Sequence, residues 1–149
     1  MKPGIDQLLM GLVTTIATRI IPELNPNSYA VGDARMTAIL AMFVAQEADR
    51  AADTYFRENR EMRVMFLTAS RMDLFPALRV RLAHDAAQEE SDLKLGTLSA
   101  LHDRHSETLI ALHATVETID ADWARTLDRE ICQSLLSAAE RRLLVMPAM

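Results

Sequence analysis

The chain has 149 residues, half of them hydrophobic, and a formal net charge of −5, enough for one domain, residues 1–149, that buries about two-thirds of its unfolded surface without a disulfide or metal staple. The acidic balance excludes a general binder of nucleic acid or anionic membrane, which has to neutralise phosphates with a basic surface. Between Asp33 and Met146 there is one glycine, Gly96, and one proline, Pro76, so this stretch reads as long helices and lacks the glycine-built turns of phosphate loops, oxyanion holes and nucleophile elbows.

The first predicted helix carries Ile5, Leu8, Leu9, Leu12, Val13, Ile16, Ala17, Ile20 and Ile21 at helical spacing, with Asp6, Gln7, Thr14, Thr15, Thr18 and Arg19 opposite. Asp6 and Arg19 bracket its apolar run, no Ala-x-Ala site follows, and the segment is read as a helix rather than a signal peptide. Pro22 and the Asn25-Pro26-Asn27 turn end it, and a second helix begins near Tyr29 to Asp33. An unbroken second helix to Ser70 would be a rod of roughly 60 Å, so a bend is expected at the polar run Arg57-Glu58-Asn59-Arg60-Glu61. Its mate is expected at Glu89-Glu90-Ser91-Asp92 near Gly96, which makes residues 61–90 a hairpin turning at Asp73 to Pro76.

Further helices are expected over Asp92–Ile119 and, after Asp120 as N-cap, from Ala121 to about Met146, with Arg141 and Arg142 favouring its C-terminal dipole. The predicted fold is all-α, an antiparallel bundle of four main helices with an inserted shorter helical hairpin. Cys132 has no partner for a bridge and falls among apolar neighbours, so it is expected as a buried thiol in a reducing, cytoplasmic protein.

Two constellations stand out. Residues 57–81 hold Arg57, Arg60, Arg63, Arg71, Arg79 and Arg81 against three acids, a local balance of +3 that leaves −8 for the rest. Met62, Met65, Phe66, Phe75 and their apolar neighbours exceed what two short helices bury on one stripe. Arginine-rimmed apolar surface of this kind is typical of association sites, so these residues are interface candidates, for a second copy or an acidic partner protein. The competing reading packs them onto the bundle, with the arginines paired to nearby acids.

The second constellation is polar intruders in apolar seams. His105 interrupts the series Leu98, Leu101, Leu109, Leu112, Val116 and Ile119, with His102 one turn earlier and His113 on the flank. Glu47 shares a face with Met36, Leu40, Phe43 and Ala51. Glu47, His102 and His105 are therefore ligand candidates, as an acid/base pair, metal ligands or a satisfied polar contact. No histidine follows a glutamate by three residues and no His-Glu-x-x-His motif occurs, so no metal or cofactor is expected. Trp123 and Tyr55 are candidates for a pocket wall.

The series Leu8-Leu9, Val13, Ile21-Pro22-Glu23-Leu24 and Ala38-Ile39-Leu40 to Glu47 resembles small all-helical bacterial proteins of unknown function encoded beside acyl-CoA dehydrogenases and aminoglycoside-phosphotransferase-like kinases. The resemblance covers the first third and implies an accessory protein for CoA-linked metabolism with no assigned chemistry. Two functional readings follow: a non-enzymatic interaction protein, self-associating or docking through the Arg/Met-rich hairpin, or a bundle binding a small ligand or metal near Glu47 and His105.

Overall fold

The computed structural model describes residues 3–146, apart from the side chain at position 49, and is all-helical over them. The elements are α1 (Ile5–Thr15), α2 (Tyr29–Ala69), α3 (Pro76–Ala86), α4 (Leu95–Val116) and α5 (Asp122–Arg141). They form two compact units: one from the chain up to Ala51 together with the tail from Leu144, the other from Ala52–Leu143.

In the first unit α1 runs into a widened π turn at Ile16–Ile20 and a tight 3-10 turn at Ile21–Glu23. Pro22 has no N–H to donate and its ring crowds the carbonyl four residues back, so the regular ladder stops there. Thr14, Thr15 and Thr18 each donate a hydroxyl to the carbonyl four residues earlier, a bond that bends helices. The Asn27 N–H donates to the Asn25 side chain, and the Ala30 N–H to Ser28 Oγ, which starts α2. The apolar stripe expected to bury α1 is largely exposed: of its residues only Ile16 is buried, whereas Ile5, Leu8, Leu12 and Ile20 face outward. By length and composition alone Ile5–Glu23 also meets the requirement for a membrane-spanning helix.

The second unit is organised by one core. Met62, Phe66 and Ala69 of α2 meet Leu74 and Leu82 from the α3 side, Leu109, Leu112 and Val116 of α4, and Ala124, Leu127 and Ile131 of α5. The apolar seam of α4 lies buried at Leu98, Leu101, His105, Leu109, Leu112 and Val116, as its spacing predicts.

The expected bend at residues 57–61 does not occur, and α2 continues to Ala69. The polar run is accommodated by partners instead of a turn. Arg57 pairs with Asp53 one turn back, Glu58 with His102 and Arg142, and Glu61 with Arg141, while Asn59 Nδ2 donates to the Leu98 carbonyl at 3.0 Å. The mate at 89–92 is a true connection, between the end of α3 at Ala86 and the start of α4 at Leu95. Residues 61–90 are therefore the end of α2 plus α3, with their inner face in the core.

At α5 the N-cap is Ala121 rather than Asp120, which pairs with Arg125 instead, and the helix ends at Arg141, short of Met146. Cys132 is exposed rather than buried. It sits one residue beyond Ile131, a rotation of about 100° that carries its side chain off the core face.

Candidate functional site

Glu58 is the most deeply placed charged side chain that the polar run delivers, 4 % exposed in a helix that the core holds fixed. Its Oε2 meets His102 Nε2 at 2.9 Å and the Arg142 guanidinium, and Arg141 Nε approaches Oε1 at 3.8 Å. The Tyr55 ring packs edge-on against His102, with Arg142 over its face at 5.1 Å, so aromatic and cation–π contacts hold the two main partners of Glu58. Ser106 Oγ lies 3.4 Å from His102 Nδ1. Glu58, His102, Ser106 and Arg142 border a recess of about 200 Å³ whose lining includes Met62, Leu109, Ser134 and Ala138.

Burial holds the His102 imidazole below its ordinary range; the Glu58 carboxylate pulls the other way, and Arg142 reinforces the depression. A neutral ring fits this environment: Nε2–H donates to Glu58 and Nδ1 faces the Ser106 hydroxyl. Ser106, His102 and Glu58 thus stand in the order of nucleophile, base and carboxylate. Ser106 lies inside α4, however, where the N–H groups that would cradle an oxyanion are used in the helix ladder. The arrangement anchors charge and can recognise an anionic or hydrogen-bonding group at the recess.

His105 lies one helical turn from His102, wholly buried, with its ring edge-on to Phe66 at 5.6 Å. Neither ring nitrogen has a hydrogen bond of normal geometry within the protein. Burial depresses its pKa, offset by the Asp85 carboxylate and main chain and reinforced by Arg63 and Arg104. The Asp85 carboxyl is tied in from α3: Thr108 donates to it at 2.6 Å and accepts from Arg81 Nε at 2.7 Å. Burial raises the Asp85 pKa, but the Thr108 hydroxyl and His84 bring it below the usual carboxylate value.

These shifts have the same sign with pH and act in different windows. The unfolded chain binds protons at His102 and His105 more readily than the native state, so stability is expected to fall as pH drops below about 6.5, at up to about 1.4 kcal/mol per pH unit for each histidine. The Asp85 contribution is lost in a separate window, below about 3.8. Urea midpoints between about pH 7.5 and 5.5 should therefore decline for the native sequence and decline less for His105→Leu. Parallel lines for the two would show that His105 is not kept neutral by burial.

Glu47 lies in the first unit. Its side chain is 46 % exposed and pairs with Arg50 at 2.8 Å. The face it shares with Met36 and Leu40 is not a buried seam, since both are exposed and Ala41 and Ala45 are the buried positions. His102 and His105 belong to the second unit.

The interface candidates divide between two faces. Met62 and Phe66 are core, and Met65 is packed partly against it. The largely buried Arg63 donates to the Gln88 carbonyl at 3.0 Å and pairs with Glu90 at 2.9 Å, securing the connection after α3. Arg81 serves Thr108, and Arg57 serves Asp53. The outward positions are Arg60, Val64 and Leu67 at i, i+4 and i+7 on α2, Arg71 in the turn that follows it, Arg79 and Val80 on α3 and Phe75 at the α3 N-cap. Phe75 and Val80 are 72 % and 71 % exposed. Beside this stripe an open groove of about 550 Å³ runs between α2 and α5, past Arg60, Val64, Met65, Thr68 and Gln133.

Sequence reasoning missed the buried Glu58 and its pairing with Arg142. The only signal was the polar run itself, which reads equally well as a bend. No family model, curated protein or solved structure matches this chain, so the geometry of an all-helical protein with one buried polar cluster and one arginine-framed apolar face carries the functional reading.

Proposed function

We propose that this is a non-enzymatic, cytoplasmic accessory protein that acts by associating with another protein chain through the outward face of α2 and α3. The observation that carries this reading is the stripe Arg60–Val64–Leu67–Arg71 with Phe75, Arg79 and Val80, an exposed apolar surface framed by arginines. A second copy is the first partner to test, because the remainder of the chain is acidic and complements the arginines. An antiparallel four-helix arrangement of the segments around the core is the architecture proposed with it. The resemblance of the first third adds the proposal of a role beside CoA-linked enzymes.

Native mass spectrometry and sedimentation of untagged protein test the reading. The native chain is expected as a dimer, and Val64→Glu with Phe75→Glu is expected to weaken association at least about 10-fold, or about 1.4 kcal/mol, with helicity unchanged. A monomer at all concentrations, or a dimer indifferent to both changes, rejects self-association through this face.

A second reading, small-ligand binding, is favoured by the recess beside Glu58, His102 and Ser106. It shifts the ligand site from the Glu47/His105 pair to His102. The same native spectra discriminate, because a retained ligand adds mass to each chain and does not depend on association.

A further inference from the structure

Outside the polar cluster and the arginine face, a third group of side chains converges between α4 and α5. His113 lies in the last turn of α4 with Glu117 four residues on at its C-cap, and Asp128 and Cys132 are one turn apart on α5. His113 Nε2 lies 2.9 Å from Asp128 Oδ1 and 3.8 Å from Glu117 Oε1. One donor atom each from His113, Asp128 and Cys132 falls within 4.8 Å of the others.

We propose that His113, Asp128 and Cys132, with Glu117 as the fourth ligand, bind one divalent transition-metal ion of the zinc class. The donor set is one imidazole nitrogen, one thiolate sulfur and two carboxylate oxygens. The sulfur disfavours magnesium and calcium, and the mixture of donors suits zinc or cobalt. Metal–ligand bonds of about 2.0–2.3 Å around a tetrahedron set donor separations of about 3.3–3.8 Å. The His113–Asp128 contact would open slightly and Cys132 would close by about 1 Å, which side-chain rotation supplies, because Cys132 and Glu117 are exposed.

Charge supports the same conclusion. Among the described residues neither Glu117 nor Asp128 meets a lysine or arginine within ion-pair distance. Arg125 shares a recess with Glu117 and Asp128 but commits its guanidinium to Asp120 and Asp122. A hydrogen-bonded His113–Asp128 pair alone would not require a sulfur within 4.8 Å of both. A bound cation accounts for the convergence of these three donors, with Glu117 turning in as the fourth, and it would clamp α4 to α5 at the end of the core marked by Val116 and Ala124.

The test is cobalt(II) titration of untagged, chelator-stripped, reduced full-length protein, read by absorption. One equivalent is expected to bind and to give a sulfur-to-cobalt charge-transfer band in the near ultraviolet. Cys132→Ser should abolish the band. His113→Gln and Asp128→Asn should each weaken binding by at least about 100-fold, beyond the 10–100-fold typical of residues outside the ligand shell, with far-UV circular dichroism confirming native helicity. Absence of a thiolate band at stoichiometric cobalt overturns the proposal. So does a band that persists at unchanged affinity in both His113→Gln and Asp128→Asn, because the thiol would then be acting alone.

Discussion

Phe66→Ala is expected to cost about 3–5 kcal/mol of stability, the largest effect of any single truncation considered. Phe66 is fully buried in α2 at the centre of the core shared with α3, α4 and α5, so removing its ring leaves a cavity that four packed segments cannot close. The change also strips the edge-on aromatic contact from His105, worth about 0.5–1.5 kcal/mol beyond the area lost. Against a total of about 5–15 kcal/mol for an ordinary domain, such a loss brings the fold near its threshold. Urea unfolding measures it, and the control is Leu67→Ala, one residue on, where the side chain is half exposed and the expected cost is under about 1 kcal/mol. Equal costs at positions 66 and 67 would contradict the assignment of faces on α2. A variant that loses association without losing stability would place Phe66 on the surface after all.

The second large effect is expected at Glu58. Glu58→Ala leaves His102, Arg141 and Arg142 facing a site from which their shared carboxylate has gone. Breaking a fully buried ion pair costs about 3–5 kcal/mol. Arg142 is 42 % exposed and can turn to water, so solvent screening reduces the expected loss to about 2–3 kcal/mol. Glu58→Gln is expected to recover part of it, because an amide oxygen still accepts from arginine. The pH dependence should also change. Without the carboxylate that favours its protonated form, His102 is expected to titrate lower still, since burial and Arg142 remain. Denaturant midpoints across pH for the native sequence, Glu58→Gln and Glu58→Ala check both points. A loss below about 0.5 kcal/mol in Glu58→Ala would mean that the cluster is a solvated surface network.

The parts of this protein legible in its sequence are those where one local rule faces no competitor. A proline after a helical run removes a donor and crowds the preceding turn, so it was readable that the helical segment begun by α1 ends near Pro22. The α4 seam has a single apolar stripe, and its buried positions were readable down to the intruding His105. The near-absence of glycine and proline after Asp33 likewise implied helices throughout.

Where two rules competed, the sequence was silent. On α2 the series Asn59, Met62, Phe66, Ala69 and the series Arg60, Val64, Leu67 have the same period, and periodicity alone does not say which faces the core. The charged run at 57–61 is as compatible with a bend as with a helix whose charges meet partners from elsewhere in the chain. Its partners, His102, Arg141 and Arg142, lie some 40 to 85 positions away. The group of His113, Glu117, Asp128 and Cys132 was hidden for the same reason. Each pair at four-residue spacing is ordinary by itself, and only the packing of α4 on α5 brings donor atoms of His113, Asp128 and Cys132 within 4.8 Å of one another.

By itself, then, the sequence determined that the chain is helical and where several of its helices stop, because propensity, proline and turn chemistry act within a few residues of themselves. Tertiary structure decided which face of α2 is core, that Glu58 is buried rather than at a bend, and that Cys132 is exposed beside possible metal ligands. The physical reason is that burial and charge pairing depend on side chains brought together across the fold, and no local period encodes which distant helix supplies the partner.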